Sequence, residues 1–496
     1  MLAHALRHFV KVLLIVTIAR AQEHHHQEEA APGLTLGSVS FPTSCPANDQ
    51  QDFNRGLALL HSFSYHNARL QFREISQRDP SCAMAYWGEA MSLYRQLWDR
   101  PTAKELAAGS KLVQQAKAAS IKTDRERAFI EAAAAFYNGN PVSPYEARRG
   151  AYSQALKRRH ELAPKDEEAS LFYALSLLTS PNAKKNNFSM TREAISLIEG
   201  VFTRQPNHPG AAHYLIHACD HPVLAPQALT AARRYAEIAP ASPHAVHMPS
   251  HIFARLGMWE EDIQSNLASV KVAEQQKSFP DMLHAMNFLE YAYLQRGNFE
   301  QAAQIETQAL KIPKEQLGDM AGMFNYVRVR FPSLYFLETH NWKAAQAMSI
   351  PEDAEPDFQA VIYWVRAIAS GHLRDVSAAQ AAVAGYDVKL DEVRKSSYAY
   401  VADTMMGERD EAHAWQAFAQ GSLGTAVQLM TAVADRQDRE GKGEVALPAR
   451  EMLADILLAG NRPADALTQY QLCLRTDPNR LNSVLGAERA AKLVRP

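Results

Sequence analysis

The chain has 496 residues, 47% of them apolar and 21% charged, and a formal net charge of −2. This balance is ordinary for a soluble protein and excludes an extended basic surface for nucleic acid or anionic lipid. The length suits several ordinary domains or one elongated repeat array.

The first segment, MLAHALRHFVKVLLIVTIARAQ, carries Arg7 and Lys11, an apolar core from Val12 to Ile18, and small residues at Ala19 and Ala21. That pattern predicts a signal peptide over residues 1–21. Its apolar core is too short to remain as a membrane span, and no later apolar run is long enough. The expectation is an exported protein, periplasmic or extracellular, in a compartment where disulfides persist. Residues 22–48 read as a polar flexible leader containing the run His24, His25, His26, a solvated tail able to hold metal loosely. The four cysteines, Cys45, Cys82, Cys219 and Cys473, allow alternative pairings. A Cys45–Cys82 bridge would staple the N-terminal arm, and Cys219 reads as a small buried hydrophobe.

From residue 49 onward Ala and Leu abound and β-branched runs are short, which favours helices. Aligning His213 with His247 gives a period of 34 residues. PGAAHYLIHACDHPVLAPQALTAARRYAEIAPAS then lies over PHAVHMPSHIFARLGMWEEDIQSNLASVKVAEQQ, each reading as helix, turn, helix. Comparable units occupy 49–80, 81–117, 125–164, 167–206, 283–315, 326–350, 357–385, 407–437 and 446–478, making eleven in all with LNSVLGAERAAKLV as a capping helix. They group into an N-terminal section (49–206), a central His-rich section (207–316) and a C-terminal section (317–496).

The period, the Trp87-Gly88 pair and the helix–turn–helix pattern resemble the tetratricopeptide repeat (TPR). The resemblance implies an all-α, right-handed solenoid whose units stack to bury their apolar faces. The blocks FNRGLALLHSF, AMAYWGEAM, HYLIHACDHP and HMPSHIFARLG are similar to a group of exported bacterial TPR proteins without established activity. In TPR units, positions 2, 5, 9 and 12 of the first helix face the concave groove. These offsets share one helix face.

Seven of the 19 histidines fall between His208 and His251. In the unit from Pro209, groove positions 5, 9 and 12 hold His213, His217 and Asp220. In the unit from Pro243, positions 2, 5 and 9 hold His244, His247 and His251. Two i,i+4 His pairs on neighbouring helices offer four imidazole nitrogens, the donor type that suits Cu, Zn or Fe. Asp220 and His244 join them as candidate ligands or supporting groups. His221 extends the stripe toward the helix end, and the groove wall continues with His284, Asn287, Tyr291 and Arg330. His208 reads as a loop residue before Pro209, and His61 as a residue at the core edge.

The sequence reading is therefore an exported solenoid with a transition-metal site in its groove. A metal-dependent hydrolase or an oxidase/oxygenase fits that site, though no HExxH, GxSxG or phosphate-loop motif names a reaction. The other reading is a metal-free scaffold that binds a small molecule, peptide or protein partner in the groove, with no nucleic acid and no membrane span.

Overall fold

In the computed structural model, residues 35–494 are described, apart from 98–99, 120, 139–142, 184, 321 and 444. The segment read as a signal peptide and the His24–His26 run lie outside them. The described residues form an all-α solenoid of the TPR type. Eleven consecutive helix pairs run from Gln50–His61 with Tyr65–Arg78 to Ala449–Ala459 with Pro463–Thr476, and the helix Leu481–Val494 follows them. Among the described residues, no helix is long and apolar enough to cross a membrane.

The two helices of a pair differ in burial. In Ala83–Tyr94 nearly every residue is buried, whereas its partner Ala103–Ala118 buries Gly109, Val113 and Ala116. First helices therefore form an inner layer packed on all sides, and second helices an outer layer with one apolar stripe. Gly88 shows why the large–Gly pair matters. A Cβ there would come within 2.5 Å of the Phe72 ring, so only glycine lets the two helices approach.

Residues 35–48 depart from the flexible leader expected over 22–48. Phe41 is fully buried and packs on Phe53, Trp87 and Phe129. Ser44 donates through its backbone N–H (2.7 Å) and its hydroxyl (2.8 Å) to Glu126, and Ser38 N–H donates to Asn207 O at 2.9 Å. A Cys45–Cys82 disulfide ties the arm to the second unit. The polar composition of this segment hid one aromatic anchor.

The C-terminal end also returns to the middle of the chain, which an open row of nearest-neighbour repeats does not do. Arg480 is fully buried. Its guanidinium donates to Glu451 at 2.7 and 2.8 Å, to Glu338 at 2.8 Å and to the Tyr291 hydroxyl at 2.7 Å. Beside it, Trp259 Nε1–H donates to Asn479 O at 2.9 Å, and Asn479 Nδ2 donates to Gly257 O at 3.1 Å. Tyr291 is thus part of a buried structural node and not of the groove wall, a correction to the sequence reading. Nothing in the 34-residue register distinguishes an inward tyrosine that faces solvent from one covered by a distant segment.

Arg480→Leu leaves Glu338 and Glu451 buried without their cation. The expected cost is about 3–5 kcal/mol, read as a lower urea midpoint in circular dichroism. A second prediction concerns pH. His372 lies between Trp342 and Trp415, with ring centroids 3.8 and 4.1 Å away. Burial, then the charges of His340 and Arg374, hold its pKa down to about 3. Above its ordinary value of about 6.5 the ring is neutral in both states and its contribution is intact. Below that value the unfolded chain takes a proton that the folded chain refuses, so stability falls as pH drops from about 6.5 toward 3. His372→Phe keeps an aromatic stack and removes this term. Its melting temperature should fall less between pH 7 and pH 4.5 than that of the unchanged protein, on the order of several degrees less.

Candidate metal centre

The central histidines sit on three first helices of successive units. Pro209–Cys219 starts at Pro209 in its first turn, with His208 as N-cap accepting the Ala211 N–H. The next starts the same way, with Pro243 in its first turn and the Ser242 hydroxyl accepting the Ala245 N–H. Proline fits a helix start because its missing N–H has no partner there anyway, and the cap residue satisfies one of the remaining donors. Pro249 breaks the hydrogen-bond ladder between Pro243–His247 and Pro249–Arg255, but Met248 keeps helical angles (φ −53°, ψ −31°). The path continues, and His247 and His251 stay on one face. The third helix is Phe279–Gln295.

Two groups of three imidazoles result. In the first, His213 Nε2 lies 3.0 Å from His217 Nε2 and 3.1 Å from His244 Nε2. In the second, His247 Nε2 lies 3.1 Å from His251 Nε2, and the His284 ring lies 4.4 Å from that of His247. Within each trio one ligand atom per residue falls inside a 4.8 Å sphere of mutual distance. His284 thus moves from the groove wall into the ligand set. His244 joins the preceding helix's pair rather than its own.

The far side of each ring fixes its tautomer. His213 Nδ1–H donates to the His61 carbonyl at 2.6 Å, and burial holds its pKa down to about 3. His247 Nδ1 lies 2.7 Å from Asn266 Oδ1. Asn266 Nδ2 donates to the Asp262 carbonyl and carboxyl at 3.0 and 2.6 Å, so its oxygen is the end facing His247, and His247 is the donor. His251 Nδ1 lies 3.1 Å from Asp220 Oδ2, and Asp220 Oδ1 accepts from Arg255 Nε at 2.8 Å. In all three rings Nδ1 carries a proton, which leaves Nε2 as the atom that faces the trio. His244 also has its pKa held well below the ordinary value, first by burial and then by the neighbouring imidazoles.

Phenyl rings cover both trios. Phe63 packs 4.4 Å from His213 and stacks 5.4 Å from His217, and Phe288 lies 4.8 and 4.7 Å from His247 and His251. Phe63 holds φ of 55° just past the helix Gln50–His61, a left-handed conformation that strains a bulky residue. The strain turns its ring over the first trio.

Asp220, expected as a ligand or a supporting group, takes the supporting place behind His251, with one oxygen on His251 and the other on Arg255. His221 belongs to neither trio: its Nδ1 accepts the Val223 N–H at 3.3 Å, and its ring packs on Phe188. Asn287 accepts from the Tyr326 hydroxyl at 2.6 Å, and Arg330 donates to Glu408 at 3.1 Å. Both line a cavity of about 600 Å³ together with Trp364, Glu411 and the segment around Lys442.

Sequence reasoning missed a third group. Glu168 accepts from His61 Nε2 at 2.9 Å and from His208 Nε2 at 3.1 Å, all three residues being buried. Its carboxyl is pushed up by burial, but the facing His61 and His208 outweigh this and hold it well below the usual range. His61 Nδ1 meets the Tyr214 hydroxyl at 2.9 Å, and His208 Nδ1 accepts the Ala211 N–H. Both rings thus point protons at Glu168. The only sequence signal was an acidic residue in the first turn of an otherwise apolar helix, which reads equally as a favourable dipole partner.

No known family matches the chain, and no curated protein matches it. Solved structures similar to it include the human IFIT1 dimer with m7Gppp-AAAA, with TM-score 0.39 and 11% identity over 88% of this chain and 95% of that one. The APC/C hetero-tetramer Cut9–Hcn1 matches with TM-score 0.29 and 10% identity over 90% of each chain. The P58(IPK) TPR domain matches with TM-score 0.21 and 15% identity over 90% of this chain and 98% of that one. None of the three informs the histidine array.

The tautomers are testable directly. In 15N-histidine spectra of metal-free protein at pH 7, Nε2 of His213 should resonate as an unprotonated imidazole nitrogen. Asn266→Leu removes the acceptor for His247 and should change the His247 Nδ1 and Nε2 signals while leaving those of His213 in place. A protonated Nε2 on His213 in the unchanged protein would overturn the assignment.

Proposed function

We propose that the two trios bind transition-metal ions and that the chain is an exported TPR-type protein built around this centre. One observation carries the reading. His247 and His251 both donate Nδ1–H outward, so their Nε2 atoms face each other at 3.1 Å. Two neutral rings at that distance set lone pair against lone pair, and a shared cation, a proton or a metal ion, turns the contact favourable. A metal at about 2.0–2.1 Å from each nitrogen fits a nitrogen–nitrogen spacing of this size. The donors are all imidazole, which suits Cu, Zn or Fe. Three protein ligands per ion leave a position for water or a small ligand, as hydrolytic and oxidative metal sites require. The arm disulfide and the N-terminal segment support export, where disulfides persist.

A second reading rests on the cavity lined by Asn287, Tyr326, Arg330 and Trp364. Its mixture of apolar and hydrogen-bonding side chains suits a peptide or small molecule held without metal.

Metal analysis separates the two. Untagged protein loaded with Cu(II), Zn(II) or Fe(II) and dialysed should retain at least about one equivalent of one of them. His213→Ala/His247→Ala, which keeps the leader histidines, should retain less than about a tenth of that. Equal, negligible retention by both proteins leaves only the metal-free reading.

A further inference from the structure

The centre is assembled by a rule that repeats along the solenoid. The i,i+4 pair of one first helix is completed by a single histidine from the first helix of the next unit. His213 and His217 take His244, and His247 and His251 take His284. The pairs are 34 residues apart, whereas the completing histidines are 40 apart. The next first helix starts 36 residues after Pro243, where Pro243 itself starts 34 after Pro209, and His284 stands one turn further along its helix than His244 does. Despite the offset, both trios close.

Resting on the metal reading above, we infer that the array holds two ions in tandem, one per trio, rather than one shared ion. Atoms bound to a common ion at about 2.0–2.1 Å lie within about 4.2 Å of one another. The 3.0–3.1 Å contacts within the trios satisfy that limit. Among the described residues, the two sets of mutually close ligand atoms share no histidine. His244 and His247 share a helix at i,i+3 yet serve different trios, so the middle helix supplies one ligand backward and a pair forward. Each site is a His₃ set with no thiolate and no carboxylate among its ligands. That set takes a borderline divalent ion with an open fourth position, Zn(II) being the redox-inert example.

The His61–Glu168–His208 group has a similar spacing but is not a third site. His208 Nδ1 is used as a helix cap, His61 Nδ1 faces the Tyr214 hydroxyl, and both Nε2 atoms face Glu168 with protons. It is a positioning group, since the His61 carbonyl orients His213.

The test is calorimetric titration of metal-free protein with Zn(II), in the full chain with His24, His25 and His26 replaced by alanine. The expected stoichiometry is about two. His244→Asn and His284→Asn should each lower it to about one, and the double variant should leave no tight site. Circular dichroism melts of the metal-free variants check that the fold persists. His217→Asn and His251→Asn, at half-buried and edge positions, repeat the test if either first variant unfolds. One equivalent that either single substitution abolishes overturns the tandem arrangement while sparing the metal reading. No tight equivalent in the parent overturns both, and three overturn the exclusion of the Glu168 group.

Discussion

Two imidazole nitrogens facing each other at 3.1 Å, His247 Nε2 and His251 Nε2, set the terms for the rest of the site. Neither ring can relieve the contact by changing tautomer without abandoning an acceptor, Asn266 for one and Asp220 for the other. The acceptors are themselves committed, Asn266 to Asp262 and Asp220 to Arg255. The charge between the rings is thus imposed from outside, by groups that never approach it. His213 is held in the same way by a backbone carbonyl, which cannot rotate to offer a donor.

One of those outer groups comes from a distant part of the chain. The carbonyl that fixes His213 belongs to the first unit, 152 residues away, and its position depends on His61 being gripped by Glu168 and Tyr214. From the other end, Arg255 donates to Lys442 O at 2.7 Å while holding Asp220. The Arg480 node clamps the C-terminal units to Tyr291 and Glu338. A nearest-neighbour stack could supply the His pairs with Asn266 and Asp220, but not with the His61 carbonyl.

This division also explains what could be read from the sequence. The His pairs and the eleven units were legible because they follow a helical period and a 34-residue register. Asp220 was legible as a ligand or a supporting group, and spacing, which gives a face and not a depth, could not choose between them. His284 was assigned to the wall because its approach to His247 and His251 depends on how the next unit stacks, which spacing does not give. Arg480, Glu168 and His61 act across 107 to 189 residues as single polar side chains. Such contacts leave no periodic trace. Tyr291 was misplaced for the same reason, since its partner lies beyond the reach of any local pattern.

The price of the arrangement is local instability, and it bears on affinity. Phe63 is kept in a left-handed conformation, which costs a bulky residue about 1–2 kcal/mol. Buried imidazoles need a bridging cation, a proton or a metal ion, which hydrophobic residues of similar volume would not. Neither term serves the fold, because the inner layer elsewhere is filled by Ala, Leu and aromatic side chains. An ion that binds only the folded array converts this frustration into binding free energy, since it stabilises the folded state by RT ln(1 + [L]/Kd). The outer hydrogen bonds then have a definite role. By holding a proton on Nδ1 of each ring, they keep Nε2 turned toward the trio, the arrangement that a metal ion would need.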